Sequence, residues 1–257
     1  MELPVCVMLW IGDRLSPVER ACMRSVMRQG HRLVLYVYDA VEGVPEGVEL
    51  ADAEDILPRE AIVHHHSGSV ALFSDRFRFE IMRRSLGLWL DADAYLIKPL
   101  SIDPDRHFLA YCEPGEIGAG VMYLPPDSPI IPPVLHLFEA PFIPDWMRLR
   151  DRIKAHWRQA RTGQISIGDM PWGVAGPMAL KALARRHGLM DQILPAEVLY
   201  PWHWHDAAWI FDPTQSLDRH ITPATRALHM YNYVISSRKW EAAPEGSFMH
   251  RMQQEAA

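Results

Sequence analysis

The chain has 257 residues, of which 49% are hydrophobic and 23% are charged. It contains no low-complexity tract and no repeat of solenoid or propeller length, so the composition indicates an ordinary globular protein. The formal net charge of −6 and the isoelectric point near 6.1 provide no basic field for a nucleic acid, and we expect no nucleic-acid partner. A bound cation suits this charge balance better.

Neither a targeting segment nor a disulfide framework is predicted. The first apolar run, Val5 to Ile11, is too short for a signal-peptide core or a membrane span, and an acidic residue precedes it. We therefore expect a cytoplasmic protein. Cys6, Cys22 and Cys112 lack Cys-x-x-Cys spacing, which indicates buried small side chains instead of a zinc ribbon or disulfides.

The first forty residues predict a strand, a helix and a second strand. The apolar run Val5 to Trp10 is typical of a strand covered on both faces. A Ser-Pro-x-Glu capping pattern predicts a helix from Pro17 to about Gln29, and residues 32–38 read as a strand. Ligands of such sheets lie beyond the carboxyl ends of the strands, where Trp10 and Asp39 are expected.

A second predicted helix and strand lead to two carboxylates. Residues 71–85 have an apolar face at helical spacing, and Leu88 to Leu90 is a short apolar strand that ends at Asp91 and Asp93. The remaining predictions are strands at 95–97, 108–112, 117–124 and 227–230 and helices at 145–159 and 177–187. This order predicts an α/β fold, with a twisted mixed sheet flanked by helices.

The prolines suggest how the chain divides. Seven of them lie between residues 125 and 144, which favours irregular or short helical structure there. We predict a single domain over residues 1–257, with two lobes that meet near residue 124.

Two Asp-x-Asp pairs occur in different settings. Two carboxylates on alternate residues of an extended segment can bind one hard cation, and a divalent ion so held neutralises a diphosphate. Asp91 and Asp93 end a buried strand, whereas Asp103 and Asp105 flank a proline in a polar loop. We therefore assign the first pair to a metal site and the second pair to the surface.

The motifs around Asp91 resemble those of a known enzyme family. They are Trp10-Ile11-Gly12, Ser74-Asp75-Arg76-Phe77-Arg78, Gly87-Leu88-Trp89-Leu90-Asp91-Ala92-Asp93, Pro99-Leu100 and His229-Met230-Tyr231-Asn232. Together they resemble a DXD-motif retaining glycosyltransferase family that includes yeast mannosyltransferases, animal α-1,4-galactosyltransferases and bacterial capsular polysaccharide enzymes. The family is similar to the glucosyltransferase domains of clostridial toxins. The resemblance is good over residues 5–100, loose over 170–240 and slight over 101–169.

The resemblance implies a GT-A-like (Rossmann-like) fold and transfer of a sugar from a nucleotide sugar, expected to be a UDP-sugar. The cofactor would be Mn²⁺ or Mg²⁺, the acceptor a saccharide or a lipid-linked saccharide, and the stereochemistry retaining. Residues 1–124 would bind the nucleotide sugar, and residues 125–257 would form the acceptor lobe. Gly87-Leu88 stands where the family usually has Gly-Gly.

The resemblance also implies residue roles. Trp10 would stack on the base, and Asp75 and Arg78 would bind the donor sugar. The metal ligands would be Asp91, Asp93 and His229. The catalytic set is Asp75, Arg78, Asp91 and Asp93, and the candidate nucleotide-sugar contacts are Trp10, Gly12, Asp39, Asp75, Arg78, Asp91, Asn232 and Lys239.

Ordinary structural roles remain open for these residues. Asp75 and Arg78 are three apart and would otherwise form a surface ion pair worth almost nothing. Trp10 would otherwise fill the core, and His229 would be an ordinary histidine. Arg238 and Lys239 would be a solvated basic pair, although they could instead offset phosphate charge.

Further histidines and tryptophans are weaker candidates. His64-His65-His66 and His203-Trp204-His205 could bind a transition metal, but a zinc site would need further ligands that the sequence does not identify. Trp202, Trp204 and Trp209 could line an acceptor groove or pack in the core.

Residues 145–161 form a basic amphipathic pattern, with apolar residues at helical spacing among arginines and a lysine. Such helices can lie on anionic membranes, which would suit a lipid-linked acceptor. We favour docking of the apolar stripe onto the protein core, with peripheral contact at the inner face of the membrane as the alternative. The stripe consists of Trp146, Leu149, Ile153 and Trp157.

Two further functions remain open. A haloacid-dehalogenase-type phosphatase also starts its chemistry at Asp-x-Asp after an apolar strand, but usually has Thr or Val where this chain has Tyr95. It also needs a later acidic metal motif, for which Gly168-Asp169 lacks the second acid. The second possibility is a carbohydrate-binding protein without catalysis, because a fold does not guarantee turnover.

Overall fold

The computed structural model describes residues 3–65 and 68–256. The strands in these residues are β1 (Cys6–Trp10), β2 (Leu33–Val37), β3 (Glu49–Asp52), β4 (Leu88–Leu90), β5 (Ala94–Leu96), β6 (Leu109–Glu113), β7 (Glu116–Ile117), β8 (Val121–Met122), β9 (Ile193–Leu194) and β10 (Ala227–His229). The α-helices are α1 (Pro17–Arg28), α2 (Ala71–Arg83), α3 (Ile131–Glu139), α4 (Leu149–Thr162), α5 (Pro177–Arg186), α6 (Ala196–Leu199), α7 (Asn232–Ile235) and α8 (Phe248–Ala256). Short 3₁₀ helices cover Ala53–Asp55, Arg59–Ala61, Ile167–Asp169, Met190–Gln192, Trp204–Phe211 and Leu217–Arg219.

The central sheet has five strands in the order β3-β2-β1-β4-β8. β1 pairs in parallel with β2 and β4, β3 joins β2 in parallel, and β8 pairs antiparallel with β4. Two smaller sheets pair β10 with β5 and place β6 between β7 and β9. The predicted α/β class, with a mixed sheet flanked by helices, is therefore confirmed.

The predicted β1-α1-β2 unit is confirmed, together with its capping box. Val18 N donates to Ser16 Oγ, and Ser16 N donates to the Glu19 carboxylate at 2.7 Å. These bonds satisfy amide groups that have no partner within the first turn of the helix. The helix ends before Gly30, whose φ of 86° lies in the left-handed region that glycine adopts without strain.

Gly87 allows β4 to run close against β1. Its φ is 144°, and a Cβ atom at this position would lie 2.4 Å from the carbonyl oxygen of Val5. A larger residue would push the two strands apart, because that oxygen belongs to the backbone of the neighbouring strand. Glycine at this position therefore allows the amino end of β4 to pair with the chain at the start of β1, where Leu88 N donates to Val5 O at 2.9 Å.

The prediction of one continuous strand over residues 117–124 is wrong. The structure has β7 and β8, separated at Gly118 to Gly120. A Cβ at Gly118 would lie 2.4 Å from the Tyr200 ring, and one at Gly120 would lie 2.5 Å from the imidazole of His229. β7 and β8 belong to different sheets, and glycines in the segment between them leave room for these two large side chains.

The predicted helix at 145–159 begins four residues later, at Leu149, and continues to Thr162. Met147 N donates to Pro144 O, so residues 144–147 form a turn before the helix. Gly163, with a φ of 71°, ends it. The edge strand β3 has no predicted counterpart, because exposed side chains on this strand give no apolar pattern.

Two hydrophobic clusters hold the fold together. The first spans the central sheet with α2, α3 and α5, and the second joins α1 and Tyr95 to residues 202–256. Each cluster draws side chains from both sides of residue 124, and the two-lobe division stays a prediction. The cysteines are free, with Cys6 and Cys22 buried as predicted and Cys112 half-buried.

Within residues 3–65 and 68–256, no helix combines the length and the apolar character that crossing a bilayer requires.

Candidate functional site

The turn between β4 and β5 positions the two predicted metal-binding carboxylates. Asp91 N donates to Gly120 O at 2.6 Å, and Ala94 N donates to Asp91 O at 2.9 Å, which closes the turn. β10 runs antiparallel to β5 with His229 opposite Ala94. His229, more than a hundred residues downstream, is thereby brought to the same end of the central sheet as Asp91 and Asp93.

These three side chains form a compact cluster. His229 Nε2 lies 3.6 Å from Asp91 Oδ2 and 3.5 Å from Asp93 Oδ1, and one ligand atom from each residue lies within 4.8 Å of the others. Asp93 is buried and the other two are partly buried. In the part of the chain that the structure describes, this is the one group of three such ligands. The predicted association of Asp91, Asp93 and His229 is therefore observed.

The donor atoms of this cluster fit a divalent ion. Ligands of a six-coordinate Mg²⁺-sized ion lie roughly 3 Å from one another, so the gaps of 3.5 and 3.6 Å need only a small contraction. The same gaps are too long for strong hydrogen bonds. Two carboxylate oxygens with one imidazole nitrogen suit Mn²⁺ well, and Mg²⁺ less well because it prefers oxygen.

The backbone after β10 orients His229 and Asp93. Tyr231 N donates to His229 Nδ1 at 3.3 Å, and Asn232 N donates to Asp93 Oδ2 at 2.6 Å. Tyr231 has a φ of 53°, a conformation that is costly for a bulky residue and is concentrated at functional sites. Because Nδ1 accepts this hydrogen bond, the ring proton of neutral His229 lies on Nε2. A cation bound at Nε2 would require the proton to lie on Nδ1 instead, which would break the hydrogen bond from Tyr231 N.

The charges in the cluster depend on one another. Burial opposes ionisation of Asp91, but Arg78 and His229 outweigh it and hold the pKa of Asp91 at about 2. Burial raises the pKa of Asp93, and the Asp91 carboxylate adds to that rise. Burial alone would lower the pKa of His229, yet Asp93 and Asp91 raise it. A proton on His229 thus offsets carboxylate charge when no cation does so.

Arg78 connects α2 to the cluster. Its Nη2 lies 3.2 Å from Asp91 Oδ1, its Nη1 donates to Ala119 O, and its guanidinium lies over the Trp89 ring. Its Nε lies 3.7 Å from Asp75 Oδ1. Arg78 and Asp75 are only 5% and 7% exposed, so the surface ion pair considered as an alternative is wrong.

Asp75 is a buried acid beside this network. Burial raises its pKa to about 6, although Arg78 partly offsets the effect. Gly176 packs directly against it, since a Cβ there would lie 2.8 Å from Asp75 Oδ1. Asp75 also lines a small cavity with Trp172 and Gly173. The geometry places Asp75 next to the cluster through Arg78, and its contact with a sugar stays a prediction.

Two contributors to the site are not apparent from the sequence. Glu19 reads only as a capping residue, but it is fully buried, and its Oε1 accepts hydrogen bonds from Asn232 Nδ2 at 2.8 Å and Lys239 Nζ at 2.6 Å. Trp89 Nε1 donates to Asp91 Oδ1 at 2.8 Å. The only sequence signal for Trp89 is its position two residues before Asp91, on the same face of an extended strand.

Trp10 and Lys239 lie together at the end of β1. Lys239 Nζ is 5.7 Å from the centre of the Trp10 ring, and Trp10 is half-buried with Gly12 against its indole. Lys239 is 9% exposed, so the solvated pair suggested for Arg238 and Lys239 is wrong for Lys239, whereas Arg238 is exposed and lies over Phe211. Contacts of these side chains with a nucleotide stay predictions.

Asp39 lies at the same edge of the sheet but on the surface. It is exposed, and its carboxylate pairs with Arg59 at 2.7 Å. Asp103 and Asp105 are exposed as predicted, and Asp105 N donates to Asp103 Oδ1 within their loop. The two Asp-x-Asp pairs therefore occupy opposite environments.

The remaining histidine and tryptophan candidates lie outside the cluster. His203 Nε2 pairs with Glu113 at 2.9 Å, and the ring of His203 stacks on His205. Trp202 and Trp209 are buried against each other with ring centres 5.1 Å apart, so these two pack in the core, whereas Trp204 is 38% exposed. In the predicted run of three histidines, His65 is buried with Nε2 near Met170 O, His64 lies beside it in the chain, and His66 lies outside the described residues.

A cavity of about 510 Å³ lies on the far side of Tyr200, and its lining includes none of Asp91, Asp93 and His229. Tyr111, Tyr200, Trp202 and His203 are among the side chains that line it. The Tyr200 ring lies 5.5 Å from the His229 ring, and its hydroxyl accepts a hydrogen bond from Val121 N at 2.9 Å. The volume of this cavity is within the usual range for small-molecule sites.

A phosphatase of the haloacid-dehalogenase type needs a second acidic group near the Asp-x-Asp pair. Asp169, the nearest sequence candidate, is exposed and pairs with Arg158 at 3.0 Å. It is not a member of the Asp91–Asp93–His229 cluster. The geometry of the described residues gives the phosphatase hypothesis no support.

Two distant structural neighbours are among the solved structures that resemble this chain. No family model and no curated protein matches the chain. The PaToxG glycosyltransferase is 13% identical over 72% of this chain and 70% of that chain, with a TM-score of 0.44. The galactosyltransferase LgtC, solved in complex with donor and acceptor sugar analogs, is 9% identical over 98% of this chain and 95% of that chain, with a TM-score of 0.41. With identities this low and TM-scores below 0.5, these likenesses do not establish a function for this chain.

Proposed function

We propose that this chain is a metal-dependent glycosyltransferase that moves a sugar from a nucleotide sugar, with a UDP-sugar as the first candidate, to a saccharide or lipid-linked saccharide. The observation that supports it most directly is the cluster of Asp91, Asp93 and His229 beyond the carboxyl end of β4. Ligands of open α/β sheets bind at such ends. The motif resemblance suggests the reaction class, and the geometry supports the cation site.

Positive charge is what this reaction requires from the site. Mn²⁺ or Mg²⁺ held by the cluster would stabilise the nucleoside diphosphate as negative charge develops on it. Arg78 keeps Asp91 ionised, since its guanidinium is a main cause of the low pKa of that carboxyl. Asp91 is therefore a charged ligand throughout the neutral range.

Asp75 has a different proposed role. Its raised pKa lets it exist as either acid or carboxylate near pH 6, so it can donate or accept a hydrogen bond. We assign it to the hydroxyls of the donor sugar, with Arg78 holding it toward the site. We assign no side chain as a nucleophile, and retention of configuration is expected from the resemblance alone.

The donor and acceptor are assigned to opposite sides of the cluster. Trp10 presents a half-buried aromatic face at the end of β1, which suits a nucleotide base. The 510 Å³ cavity beyond Tyr200 has the size and the aromatic lining that suit a sugar acceptor.

The experiment that tests the proposal measures release of nucleoside diphosphate from a panel of nucleotide sugars with Mn²⁺, Mg²⁺ or a chelator. Asp93→Asn keeps the shape of the side chain but removes a charged ligand, and turnover should nearly vanish. The matched control is Asp105→Asn, on the exposed pair, which should retain both rate and metal dependence. Equal loss in both variants would reject the site.

A binding measurement separates the transferase from a binding protein and from a phosphatase. UDP or GDP with Mn²⁺ should raise the melting temperature, because a ligand at a hundredfold excess over its Kd adds about 2.7 kcal/mol of stability. Stabilisation without turnover on any donor would indicate a carbohydrate- or nucleotide-binding protein. Release of inorganic phosphate from simple phosphomonoesters would indicate a phosphatase.

A further inference from the structure

Helix α4 exposes the apolar stripe that the sequence analysis expected to be covered. None of its residues is buried. Leu149, Ile153 and Trp157 follow one another at intervals of four and so lie on one face of the helix. They are 70%, 59% and 67% exposed. The prediction that the stripe docks onto the protein core is therefore wrong for these three residues. Trp146, the fourth member of the predicted stripe, lies before the helix, is half-buried against the core and donates from Nε1 to Val174 O at 2.9 Å.

The face of α4 that meets the body of the protein is the small and polar one. Asp151, Ala155 and Gln159 are half-buried and also follow one another at intervals of four. Arg158, near the end of the helix, is tied to Asp169 by an ion pair of 3.0 Å. The helix thus holds its apolar stripe away from the core, and a contiguous exposed apolar surface of this kind marks an interaction site.

The charge around the stripe indicates what it meets. Residues 148–162 contain six basic side chains and one acidic one, a net charge of +5 with histidine neutral, while the whole chain carries −6. The rest of the chain therefore carries −11. Trp172, in the segment that follows α4, is a further exposed aromatic residue, 64% exposed. Residues 148–172 therefore combine this positive charge with two of the most exposed tryptophans, Trp157 and Trp172, in an otherwise acidic protein.

We propose that α4 is a membrane-surface helix that binds an anionic lipid bilayer. Leu149, Ile153 and Trp157 would enter the interface between headgroups and acyl chains. The exposed basic side chains that are not paired with Asp169 would meet the lipid phosphates, and these are Arg148, Arg150, Lys154 and Arg161. Tryptophan is enriched at this depth of a bilayer. A second copy of the chain is a poorer occupant, because pairing two such faces would bring the exposed basic side chains of one copy against those of the other.

The position of α4 connects this surface to the candidate site. Asp169, which pairs with Arg158, is followed by the segment that contains Trp172 and Gly173, and these residues line the small cavity beside Asp75. A bilayer bound at α4 would therefore lie near the site, where a lipid-linked molecule could reach it. The lipid contact itself does not depend on the proposed function, because it is measured without turnover.

The test is co-sedimentation of the full chain with vesicles of phosphatidylcholine alone or mixed with phosphatidylglycerol. The chain should bind the anionic vesicles and not the neutral ones, and added salt should weaken binding because it screens the charges. The double variant Ile153→Ser with Trp157→Ser should lose most of this binding. Leu50→Ser is the matched control, since Leu50 is an apolar side chain 56% exposed on the edge strand β3.

A second pair of variants tests the charge. Lys154→Glu with Arg161→Glu should lower the apparent partition coefficient at least tenfold, since each basic residue near an anionic surface contributes about fivefold. Arg106→Glu with Arg219→Glu makes the same charge change at exposed positions outside α4 and should have a much smaller effect. Circular dichroism confirms that each variant is folded.

Three results would overturn the proposal. The first is failure of the wild-type chain to bind anionic vesicles. The second is equal loss of binding in the α4 variants and their controls. The third is a concentration-dependent dimer in sedimentation equilibrium that the Ile153→Ser, Trp157→Ser double variant dissociates, which would assign the stripe to a second copy of the chain.

Discussion

Helices α2 and α4 have similar lengths, of 13 and 14 residues, and opposite relations to the core. α2 buries nine residues, among them the charged side chains Asp75, Arg78 and Glu80, whereas α4 buries none and exposes three large apolar ones. An amphipathic pattern therefore does not decide which face of a helix is covered. Which face is covered depends on the segments of the chain that pack against the helix.

Both helices depart from the usual pattern, in which charged side chains are exposed and large apolar side chains are buried. Burying charge is costly unless the charge is paired and hydrogen-bonded, and Arg78 meets that condition through Asp91 and Ala119 O. Leaving an apolar stripe in water forgoes burial that would stabilise the fold. These departures mark the proposed reaction site beside α2 and the proposed docking surface on α4.

The largest effect should come from removing the buried cation of α2. Arg78→Met leaves Asp75 and Asp91 without their positive partner, and loss of one member of a buried ion pair costs about 3–5 kcal/mol. Urea unfolding in the presence of a chelator measures the free energy of unfolding without metal binding. Arg76→Met on the same helix is the control, and it should cost about 1 kcal/mol or less, since Arg76 is half-buried over the Phe138 ring. Similar losses of stability in both variants would show that Arg78 contributes no more to the free energy of unfolding than Arg76 does.

A smaller effect, with a defined pH dependence, should follow from Asp75→Asn. The folded protein raises the pKa of Asp75 from 3.8 to about 6, a difference that corresponds to about 3 kcal/mol. Between these values the folded state binds the proton more tightly than the unfolded state, so this residue makes wild-type stability fall as pH rises. The asparagine does not titrate, and its stability relative to wild type should therefore increase from pH 4 to pH 7.5.

Urea unfolding at both pH values tests this prediction, with Asp105→Asn on the surface as the control. If Asp75 and Arg78 formed an exposed ion pair, Asp75→Asn would change stability little. Asp75 is only 7% exposed, so a larger change is expected. A stability difference that stays constant between pH 4 and pH 7.5 would show that Asp75 is ionised throughout.

The smallest effect on folding is expected in α4. Trp157→Ser should change the free energy of unfolding by no more than about 0.5 kcal/mol, because the side chain is mostly exposed. Phe77→Ala in α2 is the opposite case and should cost about 3–5 kcal/mol, since Phe77 is fully buried. A cost of several kcal/mol for Trp157→Ser would show that Trp157 is packed against the body of the protein. That result would contradict both the proposed docking surface and the contrast between α2 and α4.

Local patterns in the sequence were sufficient for the main elements. The capping pattern at Ser16 predicted α1, and apolar runs predicted β1, β2 and β4. Asp91 and Asp93 were correctly placed after a buried strand. These features depend on residues close to one another in the chain, where hydrogen bonding and side-chain periodicity act directly.

The sequence by itself determined the α/β class, the order of its main elements and the strand-end position of the Asp91–Asp93 pair, because these follow from local propensity and apolar periodicity. The motif resemblance implied that His229 joins that pair, and the tertiary structure brings it there. Only the tertiary structure decided that Glu19 holds Asn232 and Lys239 and that Asp75 and Arg78 are buried. It also decided that α4 faces outward. These outcomes depend on contacts between distant segments, and such contacts leave no periodic signal in either segment alone.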